Sequence, residues 1–182
     1  MIDGQGGDCS IPSVFFAMKY MKPPDKLPNL VNMSYPRIVQ PVYGEKIFIK
    51  EGNIYDKAGS LALKNFSEYT KLTLDWYIEG QYNGSKIFLE DCMLLEHYEA
   101  ELCPWVYTIR LQKLRHILTD EICAFDKFID IPSDLVYSGA EALELYKGYG
   151  KPVLLKDPNA QYSWETVTEK TGEVLLLKAS KE

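Results

Sequence analysis

Hydrophobic and polar positions change period several times along the chain. From Ile11 to Met21 the apolar residues Val14, Phe15, Met18 and Met21 recur at helical spacing, with Ser10 able to accept from the first free backbone N–H groups and Pro12 in the first turn. Pro23, Pro24 and Pro28 end that helix and impose an extended connector. Residues 30–55 read as strands, the first interrupted or confined to an edge by Pro36 and Pro41. Lys46-Ile47-Phe48-Ile49-Lys50 is the clearest of them, closed by a turn at Glu51-Gly52-Asn53. Ala58, Leu61, Ala62, Phe66 and Tyr69 then predict a helix over 57–69. Alternation from Leu72 to Ile78, the turn dipeptide Asn83-Gly84 and the return Lys86-Ile87-Phe88-Leu89 predict a hairpin.

Beyond the hairpin, Leu94, Leu95, Tyr98 and Leu102 share a helical face, which predicts a helix over 90–102 stopped by Pro104. The stretch 105–131 fits a strand near 105–111, a short helix near 112–118 and a strand near 122–129. The strongest local signal is the helix 139–149, with a capping box at Ser138 and Glu141, Ala142, Leu143, Tyr146 and Tyr149 facing inward, a left-handed cap at Gly150 and Pro152 beyond it. A buried-type strand, Val153-Leu154-Leu155, follows, and a hairpin of 162–168 with 174–178 ends the chain. Hairpin-linked strands outnumber helices. The expected fold is therefore α+β, one domain over 1–182 with a mainly antiparallel or mixed sheet and about four helices packed on it. Residues 1–10, rich in glycine and without apolar periodicity, read as a flexible or ligand-draped loop.

Composition narrows the class. The 182 residues carry 26 acidic and 20 basic side chains, a net charge of −6, and 46% are hydrophobic, which suits an ordinary globular protein. The negative balance argues against direct nucleic-acid binding, which calls for a basic face. No apolar run approaches the about 20 residues of a membrane span, so no membrane association is expected. The N-terminus lacks the basic start and apolar core of a secretory signal, and Cys9, Cys92, Cys103 and Cys123 are not needed as disulfides in a chain with this much core, so a reducing cytoplasm is the expected setting. The triplets beginning at Asn32, Asn65 and Asn83 match the glycosylation pattern, which is short enough to arise by chance.

Candidate chemistry centres on Gly4-Gln5-Gly6-Gly7-Asp8-Cys9, which delivers a thiol to a helix start. A cysteine-dependent hydrolase or transferase could use Cys9 as nucleophile, Gln5 as oxyanion donor and His97 or His116 as base. Asp8 opposes thiolate formation, and Gln5 stands close to Cys9. The same glycines lack the preceding strand that a phosphate-binding loop requires. Cys92, His97 and Cys103 do not converge on one helical face, so neither a metal nor any other cofactor is expected. Carboxylates at 90–101 read as a solvated helix flank rather than a glycosidase-type pair.

Charge is concentrated in one place. Residues 75–101 hold Asp75, Glu79, Glu90, Asp91, Glu96, Glu99 and Glu101 against Lys86 alone, interleaved with Trp76, Tyr77, Tyr82 and Tyr98. The chain has 13 tyrosines. Carboxylates around aromatic anchors suit a face that meets a basic protein, because charge steers encounter while rings supply contact area. Size, acidity and tyrosine content resemble those of small inhibitor or immunity-type proteins. The expected function is therefore non-enzymatic binding of a basic partner, such as a nuclease or other toxin, through 75–101. The alternatives are the Cys9 enzyme and a structural subunit of a larger assembly, with the oligomeric state left open.

Overall fold

The computed structural model describes residues 36–51, 53–63, 75–121, 129–162, 164 and 174–179. In chain order its elements are β1 (Ile38–Pro41), β2 (Glu45–Lys50), β3 (Asn53–Asp56), β4 (Leu61–Leu63), β5 (Trp76–Tyr82), β6 (Ile87–Leu94), α1 (Leu95–Ala100), α2 (Tyr107–Glu121), β7 (Ile129–Asp130), α3 (Gly139–Tyr149), β8 (Val153–Lys156) and β9 (Val174–Leu177). Two sheets result. One has three strands in the order β9-β8-β1, and the other has six in the order β4-β3-β2-β5-β6-β7. Every pairing is antiparallel except β6 with β7, which is parallel, so the α+β class with a mixed sheet holds.

Each sheet has a helix on one side. Residues Tyr107, Leu111, Leu114 and Ile117 of α2 pack on Ile47, Ile49, Ile78, Ile87, Leu89 and Cys92 of the six-stranded sheet. Ala142 and Tyr146 of α3 pack on Val39, Val153 and Leu155 of the three-stranded sheet. Strand alternation then decides what the opposite surface carries. In β1, Val39 meets α3 while Ile38 joins the core of the larger sheet. Gln40 and Lys156, each two residues along from Ile38 and Leu154, are buried with them. Helix α3 starts and stops where its sequence dictates: the Ser138–Glu141 capping box forms, and Gly150 takes the left-handed cap at φ 62°.

Several expectations fall to tertiary context. Three helices are found among the described residues, fewer than about four. Residues 61–63, expected in a helix over 57–69, form β4 against β3 instead. Residues 90–94 extend β6, since pairing with β5 overrides the helical period, and only 95–100 are helical, with Leu102 left 70% exposed. Tyr107–Leu111, expected as strand, starts α2. Tyr149 is 38% exposed rather than inward-facing. The Asn83-Gly84 hairpin forms, with Gly84 at φ 99°. The expected helix at 11–21 and the loop 1–10 lie outside the described residues, as does most of the strand at 122–129. None of the described helices is long and apolar enough to cross a membrane.

Two glycines hold close backbone approaches. A Cβ on Gly44 would meet the Tyr82 carbonyl oxygen at 2.4 Å, and one on Gly80 would meet that of Phe88 at 2.6 Å. Gly148 in α3 has nothing within 4 Å of such a Cβ. Gly44→Ala and Gly80→Ala should each destabilise by about 1–3 kcal/mol or more, whereas Gly148→Ala should stabilise by up to about 1 kcal/mol. Urea unfolding midpoints of the three variants check both directions.

Candidate functional site

The register between β5 and β6 slips once. Glu79 faces Asp91 and Gly80 faces Leu89, so Glu90 is the extra residue of a β-bulge. Such a bulge re-aims a side chain. Here it brings two consecutive carboxylates, Glu90 and Asp91, into the interior, where both are almost wholly buried. Gly80, with no room for a Cβ, is what permits the strands to close there.

Buried charge needs partners, and each carboxylate has them. Lys46 Nζ donates to Glu90 Oε2 at 2.7 Å and to Glu79 Oε1 at 3.2 Å. Gln81 Nε2 donates to the other oxygen of Glu90, while Gln81 Oε1 accepts from the backbone N–H groups of Tyr43 at 2.6 Å and Gly44 at 2.9 Å. Burial alone would raise the Glu90 pKa, but the Lys46 and Lys156 ammonium groups and the hydrogen bonds from Lys46 and Gln81 hold it below its ordinary value. Glu90 is therefore an ionised acceptor. Its backbone carbonyl also accepts, from the Tyr107 hydroxyl at 2.8 Å and from Lys156 Nζ at 3.3 Å.

A second cluster adjoins the first. Arg110 grips Asp91 in a fork, Nε to Oδ1 at 2.8 Å and Nη2 to Oδ2 at 3.2 Å, and also donates to the Trp105 carbonyl at 2.8 Å. The hydroxyl groups of Tyr77 and Tyr162 both donate to Glu79. Tyr98 stacks on Tyr77 with centroids 4.1 Å apart, and Lys50 Nζ lies 5.0 Å from the Tyr98 ring.

Between the sheets lies a cavity of about 210 Å³, lined by Val39, Gln40 and Pro41 of β1, Tyr43, Gln81, Phe88, Leu89 and Glu90, the 130–133 segment, and Tyr149. That volume is below the about 300–1,000 Å³ of pockets that enclose a drug-sized ligand. It suits one flat ring system with the rest of a ligand outside. Apolar side chains form its sides. Gln40 Nε2 donates to the Tyr107 hydroxyl at 2.7 Å, but Gln40 Oε1, on a residue only 4% exposed, has no partner.

The residues singled out from sequence are dispersed. Glu79, Glu90, Asp91 and Tyr77 are buried, so they present no charge or ring to a docking partner. Asp75, Glu96, Glu99 and Glu101 are exposed, and Trp76, Tyr82 and Tyr98 are half-buried. His97 packs edge-on against Trp105 at 4.8 Å, His116 is exposed on α2, and Gln5 and Cys9 lie outside the described residues. Cys92 and Cys103 are buried free thiols, and burial beside Asp91 pushes the Cys92 thiol up. Among the described residues no three His, Cys, Asp or Glu side chains gather to hold a metal. Sequence reasoning missed Gln40, Lys46, Gln81, Tyr107, Arg110 and Lys156. One signal was present: Arg110 stands within the helical stripe Tyr107, Leu111, Leu114 and Ile117.

The sequence matches no protein-family model and no curated relative. Solved structures do match. The structure named Pmar-Lig_Pre superposes with a TM-score of 0.63 at 15% identity, covering 82% of this chain and 43% of its own. The Chlorella virus DNA ligase-adenylate gives 0.57 at 16% identity, covering 84% and 64%. The ATP-dependent DNA ligase of bacteriophage T7 in complex with ATP gives 0.53 at 10% identity, covering 84% and 61%. The fold is similar to that of ATP-dependent DNA ligases. This chain spans 43% of the first neighbour's length. The likeness overturns the expectation of an inhibitor or immunity-type protein with a basic protein partner, and removes the exclusion of nucleic acid. The physical reason is burial: three of the seven carboxylates in 75–101 are neutralised inside the protein, so the net charge was a poor guide to its surface.

Two outcomes follow. Arg110→Met, which leaves Asp91 buried and unpaired, should cost about 3–5 kcal/mol, and Asp91→Leu combined with Arg110→Met should recover part of it; equilibrium unfolding of both variants measures this. Glu90 binds its proton less readily folded than unfolded, so its stabilisation is complete above its ordinary pKa of 4.5 and is lost as pH falls through the depressed folded value. Unfolding temperature should therefore decline less steeply with acidification in Glu90→Gln than in the parent.

Proposed function

We propose that this chain is a nucleotide-binding domain of the DNA-ligase type, whose cavity between the two sheets takes the base of a nucleoside triphosphate and whose macromolecular partner is nucleic acid. The observation that carries this reading is the cavity of about 210 Å³ lined by β1 of one sheet and by β5 and β6 of the other, in a fold similar to that of the ATP-dependent DNA ligases. Ligand sites are concave and mostly apolar with a few polar groups, which is what this lining offers. Flanking apolar residues, Val39, Pro41, Phe88 and Ile131, suit the faces of a heterocycle. The neighbours support the same class of ligand, since one is a ligase-adenylate and another a ligase complexed with ATP. Nucleic acid as partner rests on the ligase likeness alone.

Calorimetric titration with the four ribonucleoside triphosphates tests the reading. At least one should bind with a Kd below about 1 mM. Gln40→Leu should weaken that binding about tenfold, the equivalent of one hydrogen bond, with the unfolding midpoint retained. Absence of binding by all four would remove the assignment.

A further inference from the structure

A cavity of about 210 Å³ takes a ring and leaves the charged part of a nucleotide outside its rim. Two lining tyrosines mark that rim, Tyr43 at 45% exposure and Tyr149 at 38%. Backbone bonds fix residue 151 beside them. Pro41 pairs with Val153, and the Val42 N–H donates to the Pro152 carbonyl at 2.8 Å, which sets the start of β8 against the corner that carries Tyr43. The Tyr43 N–H is held in turn by Gln81 Oε1 at 2.6 Å. Lys151 Nζ lies 4.8 Å from the centroid of the Tyr43 ring, and that ring stacks on the lining residue Phe88 at 4.6 Å.

The other cations around the cavity are committed. Lys46 is shared between Glu79 and Glu90, Lys156 Nζ donates to the Glu90 carbonyl, and Lys86 pairs with the lining residue Asp130 at 2.8 Å, offsetting its charge. Among the described residues no carboxylate and no other acceptor pairs with Lys151, whose ammonium rests on a ring face. That attraction is weaker than a charge-assisted hydrogen bond to phosphate, so an anion at the rim draws the ammonium off the ring. We infer that Lys151 binds the phosphate chain of a nucleotide whose base sits in this cavity, with the Tyr43 ring holding the ammonium at the rim beforehand. The inference rests on the nucleotide-binding reading and adds the side on which the phosphates leave, past Tyr43 where α3 gives way to β8.

The test titrates the full chain, parent and variants, with ATP, GTP, CTP and UTP by calorimetry at low and at high salt. Unfolding midpoints of the variants should match the parent's, since Lys151 carries no hydrogen bond or ion pair among the described residues. For each triphosphate that binds the parent, Lys151→Met should weaken binding about tenfold at low salt, the loss of one charge-assisted hydrogen bond. The loss should shrink at high salt, because ions screen what the ammonium contributes. Lys151→Arg keeps the charge and should lose less than Lys151→Met. Equal affinity of the parent and Lys151→Met, an equal loss in both variants, or a loss independent of salt overturns the role of Lys151 while leaving the nucleotide-binding reading in place. Failure of all four triphosphates to bind the parent overturns both readings.

Discussion

Charge is buried between two sheets here only because each charged group meets a partner from a different element. Glu90 and Asp91 come from β6, Glu79 from β5, Lys46 from β2, Lys156 from β8 and Arg110 from α2. An unpaired charge in such a place costs several kcal/mol. The strands and the helix must therefore arrive in one relative arrangement or leave a carboxylate unpaired. That requirement couples the three-stranded sheet to the six-stranded one more specifically than apolar contact could.

The β-bulge at Gly80 and Glu90 is the local device that makes this possible. Strict alternation would send two consecutive acidic residues to opposite sides of β6. With the bulge, Asp91 stays in register with Glu79 and Glu90 becomes free to line the cavity. Gln81, next to the bulge, carries the effect outward. By accepting from the N–H groups of Tyr43 and Gly44 it ties the corner between β1 and β2 to β5. The same side chain thereby stabilises a turn and orients a carboxylate.

The cavity is lined by Val39, Gln40 and Pro41 from one sheet and by Gln81, Phe88, Leu89 and Glu90 from the other, so its shape depends on how the two sheets meet. The fold is similar to that of the ATP-dependent DNA ligases.

Much of the local structure was legible without coordinates. Helix α3 was readable from Ser138 to Gly150 because capping and termination depend on neighbours within a turn. The hairpin at Asn83-Gly84 was equally plain, since a tight turn needs a positive φ that few residues supply. The candidate site was hardly legible at all. Glu79, Glu90 and Asp91 were visible as an acidic concentration and taken for surface, because a sequence shows which residues are charged and not which are paired. Their cationic partners, Lys46, Arg110 and Lys156, lie 19 to 66 residues away along the chain. Helical period over 90–102 likewise lost to strand pairing with β5, an interaction no local window contains. What the sequence determined by itself was each element whose stabilising contacts lie within a few residues. Only the tertiary structure decided where the charges went, because the energy of a buried ion depends on groups brought to it by the fold.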